Sequence, residues 1–399
     1  MMPERGPTNT WALEDRQRLL LSATRDDDLH PKSFREPSVN NTTESAIACA
    51  RVRLNPLRVL SVIPGGSGSG SMIFAKRQTH SLVGEGVENR NFFLASRTSP
   101  WRLWREIWRF RKEIREFQPH VVHTHFGTMT ALFCAASTGL PLVITFRGSD
   151  LNPCPSMRWW RSFLGRLFSH LSAVRAQHII CVSLQLRRRL WWRQKQISVI
   201  PSGVDTDDFR PLPRDQARRE LGWGAKDVIV LFNAGKSPAV KRLDLAQAAV
   251  EVARREAPAA RMVVLDGFTA PQFLPLMMSA ADCLLLTSDW EGSPTVVQEA
   301  LACNLPVVTV NVGDVRERLQ GVESTAIVPR NAAAIGKALA AMVMPPRRSN
   351  GRAFTEEISL RAIAPQIVDI YRAVLHRPTP AARTDHCAGA EVGGAARAA

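Results

Sequence analysis

The chain is 399 residues long, 45% hydrophobic and 22% charged, proportions that exclude a disordered, collagen-like or continuously coiled-coil protein and predict two globular domains with tails. Its formal net charge is +16, and the excess is local: residues 57–200 carry 21 basic and 6 acidic side chains, against 8 and 8 in residues 1–56 and 23 and 22 in residues 201–399. An anionic partner therefore meets one half of the protein, with nucleic acid, anionic lipid and small anionic substrates all open at this point.

No apolar run reaches the roughly 18–20 residues that span a bilayer, and the opening MMPERGPTNTWALEDRQ has no apolar signal-peptide core, so a cytoplasmic location is expected. Seven scattered cysteines, never in a C-x-x-C pair, read as reduced thiols. In chain order, residues 1–56 are polar and aperiodic and predict a disordered extension. Order begins with an apolar strand at 57–64, which runs into Gly65-Gly66-Ser67-Gly68-Ser69-Gly70 and then into helical periodicity over 71–83. Strands at 120–123, 141–146 and 178–182, with a helix at 129–137, continue an alternation that predicts a parallel sheet covered on both faces. Ile200-Pro201-Ser202-Gly203-Val204-Asp205 and the prolines Pro211 and Pro213 interrupt it. Strands at 228–233, 262–265, 283–287, 306–310 and 326–328 then predict a second α/β domain, followed by a helix over 363–375 and an Ala/Gly-rich tail.

The strongest local signal is Glu291-Gly292-Ser293-Pro294-Thr295-Val296-Val297-Gln298-Glu299-Ala300. It follows a predicted buried strand, and Ser293-Pro294 predicts a cap and first-turn pair for a helix starting there. A helix N-terminus beyond the carboxyl end of a parallel strand suits phosphate, because its unpaired N–H groups and its dipole both point outward. Glu291 and Glu299 beside such a site repel phosphate but accept hydrogen bonds from sugar hydroxyls, so the pair fits a ligand carrying both groups. A loop Glu and an exposed helix Glu are the plain alternative. After the first strand of the second domain, Gly235-Lys236-Ser237-Pro238-Ala239-Val240-Lys241-Arg242 offers Lys236 and Lys241 to a diphosphate, although lysines near a helix start are commonly just solvated.

Glu291 and Glu299 have the spacing E-x7-E. Together with His123-Thr124-His125-Phe126-Gly127, Thr145-Phe146-Arg147-Gly148-Ser149-Asp150, Cys181-Val182-Ser183, the 200–205 segment and Asn304-Leu305-Pro306-Val307-Val308, in this order, they make the chain from about 57 to 375 resemble retaining glycosyltransferase family 4. The resemblance implies an α/β GT-B fold of two facing Rossmann-like domains: an acceptor domain at 57–205, a nucleotide-sugar domain at 206–345, a helical segment at 346–376 returning to the first domain, and a disordered tail at 377–399. It implies a UDP- or GDP-sugar donor, a lipid-linked or growing glycan acceptor, and neither metal nor separate cofactor.

By the same resemblance Lys236 and Lys241 would hold the diphosphate and stabilise its developing charge. Glu299 would accept hydrogen bonds from the ribose, and Glu291 with the Gly292-Ser293-Pro294-Thr295 backbone would orient the sugar and diphosphate. Gly65, Gly66 and Gly70 would let the first domain's loop approach the ligands, and His123 or His125 would contribute there, with a structural role at the strand end as the plain alternative. Arg147 stands where many relatives have His. An arginine stays protonated and cannot be a general base, so it is expected as an electrostatic clamp while the departing phosphate assists the acceptor. One strand and helix usual in the family are missing between 262 and 283. Asp205-Thr206-Asp207 matches a metal-binding pattern of another glycosyltransferase fold but lies in the linker, so no metal is expected there.

The basic half also interleaves tryptophan with arginine. Trp101, Trp104 and Trp108 alternate with Arg102, Arg105, Arg109, Arg111 and Lys112; Trp159-Trp160 lie between Arg158 and Arg161; Trp191-Trp192 follow Arg187, Arg188 and Arg189. Tryptophan as core and arginine as solvated face explains one such helix, but three clusters read better as docking to an anionic membrane. The expectation is a retaining glycosyltransferase peripheral on the inner face of the plasma membrane, in surface polysaccharide or glycolipid biosynthesis, with nucleic acid not expected as a partner. The alternatives are a GT-B nucleotide-sugar epimerase, a basic nucleic-acid-binding protein and a non-catalytic glycan-binding relative.

Overall fold

The computed structural model describes residues 56–67, 72–95, 99–153, 158–235 and 237–376. The expectations for residues 1–55 and 377–399, and those for Gly70 and Lys236, lie outside the described residues.

The first domain is a six-stranded parallel sheet in the order β2-β1-β3-β4-β5-β6. Its strands are β1 (Leu57–Pro64), β2 (Val87–Leu94), β3 (Val121–Thr124), β4 (Leu142–Phe146), β5 (His178–Cys181) and β6 (Ile197–Val199). The connecting helices are α1 (Ile73–Ser81), α2 (Pro100–Phe117), α3 (Thr128–Ser137), α4 (Trp159–Arg175) and α5 (Leu184–Arg189). The central strands β3 and β4 are wholly buried, as a sheet covered on both faces requires, with His123, Thr124 and Thr145 as their polar members. β2 and β6, which the apolar-run reading did not find, are the two edges: β2 alternates buried and exposed positions around a polar centre, and β6 is three residues long. The polar centre of β2 and the shortness of β6 keep them from showing as apolar runs.

Right-handed crossovers decide which face each helix covers. The chain steps one way from β1 to β2 and the other way from β2 onward, so α1 lies on one face and α2, α3 and α4 lie side by side on the other.

The second domain is a five-stranded parallel sheet, β11-β10-β9-β7-β8. Its strands are β7 (Val228–Asn233), β8 (Ala260–Leu265), β9 (Cys283–Leu286), β10 (Val307–Val310) and β11 (Thr325–Val328). Its helices are α6 (Arg214–Leu221), α7 (Pro238–Lys241), α8 (Leu243–Ala253), α9 (Leu274–Ala280), α10 (Thr295–Ala302), α11 (Val315–Arg318) and α12 (Ala332–Val343). Gly336 of α12 sits so close to α8 that an added Cβ would lie 2.6 Å from the Ala249 carbonyl oxygen, which is why that crossing needs glycine. A buried ion pair braces the back of this domain. Arg218 on α6 and Asp282 are both almost wholly buried and meet at 2.7 Å, and the Ile229 N–H donates to the same carboxylate oxygen at 2.7 Å.

The chain crosses between the domains twice, and the crossings lie together. Val204 N–H donates to the Ile358 carbonyl and Leu360 N–H donates to the Val204 carbonyl. Beyond this bridge α13 (Leu360–Leu375) buries Ile363, Ile367, Val368 and Tyr371 against the first domain's Val59, Val87, Val121 and Val143. Gly203, at φ +82°, permits that contact, since a Cβ there would fall 2.6 Å from Ile363 Cδ1.

Candidate active site

In open parallel sheets, ligands bind beyond the carboxyl ends of the strands where the chain reverses its direction of travel across the sheet. The first sheet reverses at β1/β3 and the second at β7/β9. Gly65 follows β1, His125 follows β3, Gly235 follows β7, and Glu291 lies in the loop after β9. The predicted site residues thus converge from both sheets on one junction. Gly148, after β4, lies against Gly292 so closely that a Cβ added to Gly292 would be 1.8 Å from the Arg147 carbonyl oxygen and 3.0 Å from Gly148 Cα.

On the second domain's side, Glu291 and Lys241 form an ion pair at 2.5 Å, and Ser288 donates to the same carboxylate oxygen at 2.8 Å. Lys241 ends α7, and Thr287 holds that turn by donating to the Lys241 carbonyl at 2.7 Å. The expected Ser293-Pro294 cap is corrected. Helix α10 begins at Thr295 with Pro294 as its N-cap and no side-chain cap bond. The Ser293 hydroxyl is drawn inward instead, donating to Asp314 at 2.8 Å and accepting from Gln298 at 2.8 Å. This pins the loop from below, and the start of α10 carries no capping side chain over its backbone N–H groups. Burial raises the Asp314 carboxyl above the usual range, while Arg318 and Ser293 pull the other way.

Glu299 on α10 is not the exposed helix residue of the plain alternative. Burial pushes its carboxyl up to about 7, and Arg77 of α1, reaching across from the first domain, opposes that shift from 3.2 Å. The Arg77 guanidinium also lies over the Phe209 ring, 5.2 Å from its centroid. No local feature of α1 marked Arg77 as part of the site; its signal is only that it faces the cleft once the domains are assembled.

Arg147, expected as an electrostatic clamp, is held largely by the protein itself. Its guanidinium is buried, donating to the His125 carbonyl at 3.2 Å, Ser202 Oγ at 3.0 Å and Gln78 Oε1 at 2.7 Å. A further N–H lies 3.1 Å from His125 Nδ1, and the cation stacks 4.7 Å from the Phe74 ring centroid. Four of its five N–H donors are thereby committed to the protein. Burial lowers it to about 9, against the pull of Asp150, so it remains charged at neutral pH.

Because arginine can only donate, His125 accepts through Nδ1 and carries its proton on Nε2, which is buried with no protein partner. Burial, then His123 and Arg147, hold His125 well below its ordinary value. His123 is neutral too, lowered to about 3 by burial and Arg147, and is tethered by Tyr371 of α13 at 2.6 Å and Thr145 at 2.7 Å. Ser202, from the 200–205 segment, completes this network with Gln78 and Tyr371, which were not singled out from the sequence, being ordinary polar residues far apart in the chain.

Gly65, at φ +110°, turns the chain out of β1, and Gly66 has open space where a Cβ would stand. Asp205 accepts from the N–H groups of Asp207 and Asp208, and Asp207 pairs with Arg361 at 2.8 Å, so both carboxylates are engaged locally. Among the described residues no group of three or more His, Cys, Asp and Glu is placed to hold a metal ion. Trp101, Trp104 and Trp108, with Arg102, Arg105 and Arg109, lie on α2, on the outer surface of the first domain.

Two family models match in tandem: Glycosyltransferase Family 4 over residues 70–208 and Glycosyl transferases group 1 over residues 225–344, together nearly two-thirds of the chain. The chain belongs to glycosyltransferase family 4. This family 4 chain is 26% identical over 250 residues, 56% of its own length and 61% of the relative's, to a protein of Bacillus subtilis provisionally named teichuronic acid biosynthesis glycosyltransferase TuaC. It is 31% identical over 218 residues, 45% and 48% of the two lengths, to D-inositol 3-phosphate glycosyltransferase of Segniliparus rotundus. Its matches thus span about half to three-fifths of these curated relatives. The fold is that of sucrose-phosphate synthase from Thermosynechococcus elongatus (18% identity, TM-score 0.64, 79% of this chain and 99% of that one). It is also that of Anabaena HepE in complex with UDP-glucose (16%, TM-score 0.59, 79% and 98%). The family 4 chain therefore has the GT-B architecture.

Proposed function

We propose that the protein is a retaining glycosyltransferase. It moves a sugar from a UDP- or GDP-sugar to a lipid-linked or growing glycan acceptor in surface polysaccharide or glycolipid biosynthesis, at the inner face of the plasma membrane. The observation that carries the reading is the meeting of the two strand-end junctions at Gly148 and Gly292, with the Lys241–Glu291 pair on one side of the contact. The complex of HepE with UDP-glucose and the naming of TuaC for a polysaccharide pathway support the choice of donor and setting.

In this reading the Lys241 ammonium faces the diphosphate, joined by Lys236, and stabilises the negative charge that grows as the bond from sugar carbon to phosphate breaks. The start of α10 presents backbone N–H groups to the same anion. Glu291, oriented by Lys241 and Ser288, accepts hydrogen bonds from sugar hydroxyls, and Glu299 does so from the ribose. The bonding pair leaves with the phosphate, the acceptor oxygen joins the same face of the sugar carbon, and its proton passes to the departing phosphate oxygen. Arg147 has four of its five donors committed and stays charged, so it acts as a positioning residue that fixes the tautomer of His125, whose Nε2–H is left to serve a ligand.

The test is turnover of a panel of UDP- and GDP-sugars by the wild type and by Glu299→Ala and Lys241→Ala. Loss of one charge-stabilising donor is worth roughly 10²–10³ in kcat, and Lys241→Ala is expected in that range. Unchanged activity in both variants would sink the assignment of the site.

A further inference from the structure

The first domain carries a broad surface that no element of its own covers among the described residues. Helix α2 already turns Leu103, Ile107, Phe110, Ile114 and Phe117 toward the core, so its tryptophans are surplus to packing. Trp101 is 83% exposed, Trp104 59% and Trp108 57%. The core reading of these residues is therefore excluded by the structure.

Helix α4 is inverted relative to an ordinary surface helix. The side that meets the domain consists of Ser169, Ser172 and Ala173, all wholly buried. Small residues are required there because α3 comes close: Thr128 N–H donates to Ser169 Oγ at 2.8 Å, and a Cβ on Gly165 would lie 3.3 Å from Thr128 Cγ2. The large apolar side chains, Trp159, Phe163, Leu167, Leu171 and Val174, face outward instead. Their spacing of three or four residues puts them on one stripe, and the helix is about 25 Å long at 1.5 Å per residue. Trp191 is 77% exposed, and its neighbour Trp192 donates to His170 of α4, which brings the third tryptophan cluster alongside the stripe. Since α2, α3 and α4 share one face of the sheet, all three clusters open on the same side of the molecule. An exposed apolar stripe such as that of α4 marks a contact with another phase or molecule.

Charge selects the occupant. No acidic residue occurs between Asp150 and Asp205, a stretch that holds nine Lys and Arg. Along α2 a groove of about 370 Å³ is lined by Trp104, Arg105, Trp108 and Arg109. A second copy docked through this surface would set arginine against arginine, which opposes self-association. An anionic bilayer meets both needs at once: acyl chains for the stripe and headgroup phosphates for the arginines.

We propose that the outer surface of α2, α4 and the Trp191-Trp192 turn docks on an anionic lipid bilayer, with the α4 stripe at the acyl boundary and the flanking arginines at the headgroups. The docking rests on that surface alone and needs no part of the donor site. It is tested by flotation of the full chain with phosphatidylcholine vesicles, with and without phosphatidylglycerol. The wild type floats with the anionic vesicles and less so as salt rises. Leu167→Glu/Leu171→Glu lowers the partition coefficient roughly tenfold or more while nucleotide-sugar turnover in solution and Tm are retained. The milder Arg158→Gln/Arg161→Gln removes two headgroup contacts, each worth about fivefold. The proposal is overturned if the wild type ignores anionic vesicles or binds neutral ones equally. It is also overturned if both variants float like the wild type, or if light scattering shows a dimer that the Leu variant abolishes. Turnover without flotation would refute docking and leave the glycosyltransferase reading intact; flotation without turnover would do the reverse.

Discussion

Substitution of Gly292 by alanine isolates the contact between the two domains. The added Cβ falls 1.8 Å from the Arg147 carbonyl oxygen, 2.7 Å from the carbonyl carbon and 3.0 Å from Gly148 Cα, where ordinary contacts begin at 3.4 Å. The shortfall against the oxygen is 3.4 minus 1.8, or 1.6 Å. Both sides are backbone, so no side chain can rotate away, and either the loops or the whole domains must part by more than 1 Å. Gly292 does not occupy a left-handed conformation, so alanine introduces no strain beyond this lack of space. A 1 Å misplacement of reacting groups costs about 10²-fold in rate. Gly292→Ala is therefore expected to lower kcat/KM for nucleotide-sugar turnover by about that factor. Tm should change little, because the contact lies between the two domain cores and outside both. Gly139→Ala, where a Cβ meets nothing within 4 Å, serves as the control. A Gly292→Ala enzyme with kcat/KM equal to that control would refute the view that this contact forms the working site.

The raised carboxyl of Glu299 makes donor use depend on pH. A ribose hydroxyl donates best to the ionised form, so kcat/KM for the donor rises as pH passes through about 7, and Glu299→Gln flattens that rise. Stability runs the opposite way. Between its ordinary value of 4.5 and about 7, the folded carboxyl holds a proton that the unfolded chain has released. Its contribution is complete below 4.5 and is lost as pH rises through about 7, a trend that urea titrations of Glu299→Gln against wild type will detect. Asp282→Ala strands the buried Arg218 guanidinium and the Ile229 N–H. It is expected to remove about 3–5 kcal/mol of the second domain's stability, measured by the same titration; a loss below 1 kcal/mol would show that the carbonyl acceptors around Arg218 suffice alone.

The Arg77–Glu299 pair adds a second link between the domains, and it holds the carboxylate assigned to the ribose. In the proposed reading, a ribose hydroxyl that donates to Glu299 would share the carboxylate with Arg77, which holds Oε1 from 3.2 Å.

The alternation of short buried strands with helices was legible in the sequence because the central strands are covered on both faces and read as mostly apolar runs. The edge strand β2, polar at its centre, and the three-residue β6 were not, the one being too polar and the other too short to leave that trace. The site was legible where it is local: Glu291, Lys241 and Glu299 sit at fixed offsets from strand ends and a helix start, and strand polarity alone carries them to one end of a sheet. Arg77, 222 positions from Glu299, and Tyr371, 248 from His123, belong to the site only through packing. The committed donors of Arg147 were equally hidden, because whether a guanidinium faces ligand or protein depends on neighbours that the chain brings in from elsewhere. The basic charge of residues 57–200 and its tryptophans were plain from composition. That α4 turns its serines inward and its leucines outward was decided by the close approach of α3, a contact that exists only in the folded domain.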